Sequence, residues 1–196
     1  MRINQHAYRD VMAWAYEHRI KAYTDFIMMA RTDFSTANLE HRLSPTEAET
    51  LMRGMLDYDV EYRAILDAKI PPEPPEVRAN KPVCGVGVDS LCVAADGNYY
   101  PCSGFQGYAL GNAKQQRLWE VWEHSPAIHK LREITNASFP GCLRCVARPF
   151  CNMCLVRNFN ENGGDMFKVS RHFCDIAFLN KKIVDEYWQQ QAATAN

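Results

Sequence analysis

The sequence has no cysteine in its first 83 residues, then eight between Cys84 and Cys174. Segregation of that kind marks one local site. There is no charge excess either: 22 basic against 23 acidic residues leave a formal net charge of −1. That balance gives neither nucleic acid nor an anionic membrane an electrostatic footprint, so no nucleic-acid partner and no membrane is expected. No apolar run approaches the roughly 20 residues that span a bilayer. Met1-Arg2-Ile3-Asn4-Gln5-His6 lacks the apolar core of a signal peptide. A cytoplasmic location is expected, and a reducing cytosol disfavours structural disulfides. No internal repeat is found. The apolar content, 47%, suffices for one medium domain or two small ones.

Tyr8, Val11, Met12 and Ala15 share one face of a helix predicted over Tyr8–Glu17. Ile20–Met29 reads as a strand, with Met28 and Met29 in its core. Ser44, Pro45 and Glu47 form a capping box with proline at the first helical position. The apolar stripe behind it runs through Ala48, Leu51, Met55, Tyr58 and Tyr62. Helix–strand–helix is a fragment of an α/β layer. Five prolines between residues 70 and 82 predict a stiff, extended linker and a boundary between residues 1–69 and 83–196. Beyond it, Leu91–Ala94 and Tyr99–Cys102 flank Asp96-Gly97 as a hairpin. Gln115–His124, Ala127–Ile134 and Asp175–Gln191 read as helices, the last burying Ile176, Leu179, Ile183 and Tyr187. Trp119 and Trp122 read as packing anchors, and Asn136-Ala137-Ser138 is a glycosylation sequon with no secretion to use it.

Cys142, Cys145, Cys151 and Cys154 form two Cys-x2-Cys pairs within thirteen residues. Such a turn aims two thiolates at one metal. A zinc ribbon separates its pairs by roughly 15–20 residues, whereas the gap here is five. Closing one site with these four would leave Cys84, Cys102 and Cys174 without partners. Histidines at 6, 18, 41, 124, 129 and 172 show no ligand spacing.

Cys84, twelve residues, Gly97, four residues, Cys102 resembles the first half of the SPASM signature. Cys142-x2-Cys145-x5-Cys151 and the later Cys174 resemble the second. The words Cys84-Gly-Val-Gly87, Asp96-Gly-Asn-Tyr-Tyr-Pro-Cys102 and Asn160-Glu-Asn-Gly-Gly-Asp165 fit as well. Residues 83–185 thus resemble radical-SAM/SPASM peptide maturases, relatives of the anaerobic sulfatase-maturating enzymes. More weakly, residues 1–66 resemble the last β/α units of a partial radical-SAM barrel.

The resemblance implies an α+β chain: a barrel remnant, then a SPASM domain with a β-hairpin, helices and two 4Fe–4S clusters. It implies that Cys142, Cys145, Cys151 and Cys174 hold the distal cluster, and Cys84, Cys102 and Cys154 the one nearer the barrel. Some members add a fourth cysteine to the nearer cluster; others leave an iron open or use another ligand. With Asp96-Gly97 as a two-residue turn, Cys92 sits opposite Pro101 and points away from Cys102. That makes Cys92 a small hydrophobe, its alternative being the fourth ligand. Arg144, Arg148 and Arg157 have two readings: solvated surface, or cations that raise a cluster's reduction potential.

Two departures stand out. The second motif ends Cys-x2-Cys where the common signature has Cys-x3-Cys. The Cys-x3-Cys-x2-Cys run of the radical-SAM cluster is absent, so S-adenosylmethionine and a third 4Fe–4S cluster are expected only in a complete enzyme. The chain is accordingly expected to be a truncation or one half of a split enzyme, inactive alone. Implied partners are a precursor peptide or protein, the missing barrel half, and an electron donor such as flavodoxin or ferredoxin. The rivals are a zinc-binding interaction module and a dithiol oxidoreductase, the latter disfavoured because neither pair follows a strand in a βαβ pattern.

Overall fold

The computed structural model describes residues 1–22, 27–69 and 71–194. Nine α-helices and three short strands are present among them: α1 Tyr8–Glu17, α2 Pro45–Tyr58, α3 Val60–Asp67, α4 Pro75–Arg78, β1 Cys92–Val93, β2 Asn98–Tyr100, β3 Gly111–Asn112, α5 Leu118–His124, α6 Pro126–Arg132, α7 Pro140–Leu143, α8 Leu155–Glu161 and α9 Arg171–Thr194. This mixture of helices with a small antiparallel sheet is compatible with an α+β class.

Helix α1 matches its predicted span and buries Met12 and Ala15. The capping box at α2 forms: Glu47 N donates to Ser44 Oγ and Ser44 N to Glu47 Oε2. The stripe expected to continue to Tyr62 is split, because Asp59 leaves the helix and caps α3 by accepting from Tyr62 N at 2.9 Å. Asp59 also accepts from the hydroxyls of Tyr8 and Tyr16.

The strand predicted over Ile20–Met29 needs correction. Residues 20–22 and 27–29 have no regular secondary structure, and 23–26 lie outside the described residues. Side chains take the place of a neighbouring strand. Arg42 donates to Met28 O through Nε and Nη2, and Asn38 to Met29 O. Glu161 accepts from Ala30 N, and Asn160 donates to Ala30 O. The backbone groups that a sheet would satisfy are thus met by α8 and by the turn before α2.

The long helix α9 joins the halves of the chain. Ile176 packs with Leu43 and Ala48. Tyr62 bonds Asn180, and Trp188 Nε1 donates to Leu66 O. Ile183 and Val184 are fully enclosed, each worth about 1.5–3 kcal/mol of transfer from water. Leu179 and Tyr187 of the expected stripe are only half-buried; Phe173, Ala177 and Val184 are buried in addition.

The Pro-rich segment holds one helical turn, α4, and is tied down at its end. Pro82 bridges Thr135, and Asn136 N donates to Lys81 O. The main core lies beyond it, around Phe105, Leu131, Leu155, Val156 and Phe159, with Cys84, Cys102, Cys142 and Cys154 packed against it. Trp122 packs beside Tyr99 and Val121 and under Arg132. Trp119 is 55% exposed and is no anchor.

The hairpin is present with a shifted register. Cys92 pairs with Tyr100, and Val93 with Tyr99. Gly97 N donates to Ala94 O, and Gly97 alone in the loop takes a positive φ, +88°. This is a three-residue loop, a turn closed by a left-handed glycine. The two-residue loop assumed from sequence needs positive φ at both central positions. Asp96 instead keeps negative φ and caps the turn by accepting from Asn98 N and Nδ2.

Candidate metal centres

The segment from Cys142 to Cys151 is a run of three successive turns. Cys145 N donates to Cys142 O, Arg148 N to Cys145 O, and Cys151 N to Arg148 O. Each brings the chain back to the same side after three residues. Cys142, Cys145, Arg148 and Cys151 therefore face one space, and Cys154, three residues on, faces it too. All five line one cavity. Cys174, in the first turn of α9, closes the far wall beside Phe173.

Charge couples these groups. Burial pushes the Cys142 thiol up, as do the charges of Cys174 and Cys145, while Arg148 pulls it down. Burial likewise raises Cys151; Arg148 opposes that, and Cys174, Cys142 and Cys145 add to it. Cys174 rises chiefly by burial and then by Cys145. Negative charge gathered at this cavity thus makes Cys142, Cys151 and Cys174 harder to deprotonate, and a cationic group among them would reverse that cost.

A second set lies across the core. Burial pushes Cys84 up, the backbone N–H of Val86 and Leu155 pull it down, and the thiols bearing on it are Cys154 and Cys102. Cys154 thus belongs to both neighbourhoods: it borders the first cavity and acts on Cys84. Leu155 N lies at the start of α8, so the helix start itself stabilises charge on Cys84.

The shifted register removes the basis for turning Cys92 away from Cys102. Directly paired residues share a face, so Cys92 lies on the face of Tyr100, and Tyr99 points oppositely into the cluster with Val121 and Ile128. Cys92 is half-buried and not a core residue.

Sequence reasoning missed Asn136. It is 3% exposed and three-way bonded: Nδ2 donates to Lys81 O at 2.9 Å and Pro82 O at 3.2 Å, and Oδ1 accepts from Arg148 Nη2 at 2.9 Å. The sequon asparagine is a buried brace between the chain leading into Cys84 and the wall of the first cavity. Its signal in the sequence was slight, an asparagine six residues before Cys142. The in-phase recurrence of Cys142, Cys145, Arg148, Cys151 and Cys154 was legible and not used.

Among the described residues, no three His, Cys, Asp or Glu side chains converge closely enough to hold a single metal ion. No described helix is long and apolar enough to cross a membrane. No curated protein and no solved structure matches the chain. Residues 84–146 match the family model of SPASM, an iron–sulfur cluster-binding domain, and a domain of this kind binds iron–sulfur clusters. Over about a third of its length, then, the chain is similar to the SPASM family, in a segment that carries Cys84, Cys92, Cys102, Cys142 and Cys145.

Proposed function

We propose that this chain is the auxiliary iron–sulfur part of a radical-SAM oxidoreductase that modifies a ribosomally made peptide or protein. In this reading Cys142, Cys145, Cys151 and Cys174 hold a distal 4Fe–4S centre, and Cys84, Cys102 and Cys154 a second. The observation that supports it is the gathering of Cys142, Cys145, Cys151, Cys154 and Cys174 around one cavity, with Cys84 and Cys102 packed with Cys142 and Cys154 against the adjoining apolar core. Cys151, Cys154 and Cys174 lie beyond the matched segment; the resemblance assigns them, and their place around the cavity supports it.

Such a centre supplies reversible one-electron storage. The chain's own residues do the rest. The thiols bind, the Val86 and Leu155 amides favour the charged form of Cys84, and Phe105, Leu155 and Phe159 form the buried apolar core against which Cys84, Cys102, Cys142 and Cys154 pack. A single zinc ion would draw four ligands to within about 2.3 Å of one point; thiols spaced around a cavity suit a larger group better. The peptide substrate is what the resemblance to peptide maturases implies. Electrons would come from a flavodoxin- or ferredoxin-type donor. S-adenosylmethionine and its own cluster would be held by a radical-SAM barrel, on whichever polypeptide carries it.

The test is iron, acid-labile sulfide and zinc analysis of anaerobically prepared protein. Iron and sulfide in about equal amounts are expected, and Cys145→Ala should lose about half of each. A colourless zinc protein, unchanged by iron–sulfide reconstitution, refutes the proposal in favour of the zinc module.

A further inference from the structure

Arg148 stands in phase with the cysteines. The three turns that present Cys142, Cys145 and Cys151 to the cavity present Arg148 there as well. Its guanidinium is clamped: Nη1 donates to Cys151 O at 2.6 Å and Nη2 to Asn136 Oδ1 at 2.9 Å. Asn136 is itself held by Lys81 and Pro82, so the clamp does not swing out to solvent. A further donor, Nε–H, is buried and has no partner among the described residues. A native chain rarely leaves such a donor unmet without a use for it. The other arginines differ. Arg144 is exposed, and Arg157, which also lines the cavity, lies over the Phe173 ring with Nη1 donating to Asn152 O.

We propose that Arg148 is a positioning residue that raises the reduction potential of the distal centre, by fixing a permanent positive charge and a free Nε–H donor in the wall of its cavity. The inference rests on the reading that this cavity holds an iron–sulfur centre. The physics is direct. Reduction adds one electron, taken from an external donor, and no proton need follow. The added negative charge is stabilised by a guanidinium that never deprotonates, and a hydrogen bond to sulfur acts in the same sense. A mere brace for the Cys151 carbonyl would leave the potential unmoved.

The experiment is an EPR-monitored dithionite titration of the full chain, loaded with iron and sulfide, as wild type, Arg148→Lys and Arg148→Gln. At the poise that half-reduces the wild-type distal centre, Arg148→Gln should show about a tenfold lower ratio of reduced to oxidised centre. That is about 59 mV for a one-electron couple, the order expected for one unit charge at protein-like dielectric. Arg148→Lys should fall less, and the second centre should not move. An unchanged potential in a fully loaded Arg148→Gln overturns the inference and leaves the cluster reading intact. Wild-type protein without iron and sulfide overturns that reading itself. Should Arg148→Gln fail to load, pulsed EPR of wild type labelled with ¹⁵N-arginine decides. A nitrogen coupling to the reduced distal centre that disappears in Arg148→Lys supports the inference, and its absence in wild type overturns it.

Discussion

Replacing Asn136 with alanine tests the brace between the two thiol sets. The backbone bond from Asn136 N to Lys81 O survives the change. What is lost is the side-chain donor to Lys81 O and Pro82 O and the acceptor for Arg148 Nη2. Two neutral hydrogen bonds are worth about 0.5–1.5 kcal/mol each and one to a charged group about 1.5–3 kcal/mol. Water reaches the vacated space poorly, because the residue is 3% exposed. The expected loss is therefore about 3–5 kcal/mol, a large share of the 5–15 kcal/mol that holds a typical domain. At a urea slope of about 2–3 kcal/mol/M the unfolding midpoint should fall by roughly 1–2.5 M. The assay is urea unfolding of reduced, metal-free protein followed by far-UV circular dichroism. A loss below about 1 kcal/mol would show that Arg148 and Pro82 find other partners, and would refute the view that this residue joins the two regions.

Three further outcomes are expected. Glu161→Ala takes the carboxylate from the Arg42 guanidinium, whose side chain is 14% exposed and which keeps its bonds to Met28 O, and frees Ala30 N; about 3–5 kcal/mol should be lost, read as the same midpoint shift, and a neutral result would mean the pair is dispensable. Burial raises Cys84, Cys142, Cys151 and Cys174 in the folded metal-free chain, so their contribution to stability is present below the ordinary thiol pKa and lost as pH rises through the folded values. Metal-free protein should thus unfold at lower urea at about pH 10 than at pH 7, and an equal midpoint would contradict the stated burial. The Cys-x3-Cys-x2-Cys run is absent from the 196 residues, so the chain alone should form no 5′-deoxyadenosine from S-adenosylmethionine and dithionite; steady formation, measured by chromatography, would refute the assignment of its centres.

What the sequence made legible was local and periodic. The Ser44 box, the span of α1 and the Asp96-Gly97 hairpin depend on neighbours within a few residues, and all three form. The Cys-x2-Cys pairs are local in the same way. The misreadings arose where distant groups decide. Residues 27–30 have strand-like composition, but Arg42 and Glu161 satisfy their backbone from far along the chain. Trp119 has the bulk of an anchor and is left exposed by a short helix that buries Val121 instead. The hairpin register turned on one φ angle at Asp96, which composition does not encode, and one residue of slip exchanged the face of Cys92. Asn136 was invisible as a brace because its partners at Lys81, Pro82 and Arg148 lie on segments that only the fold brings together.

The place of Cys154 sets a leash. Cys151 and Cys154 are three residues apart, so their Cα atoms lie no more than about 11 Å from one another however the chain between them is bent. One borders the first cavity and the other acts on Cys84. The spacing of the two neighbourhoods is thus fixed by covalent geometry and not by how well two domains dock. Loosening the packing around α9 or the proline segment would shift the walls of each, yet the thiols of Cys151 and Cys154 would stay within that reach of one another.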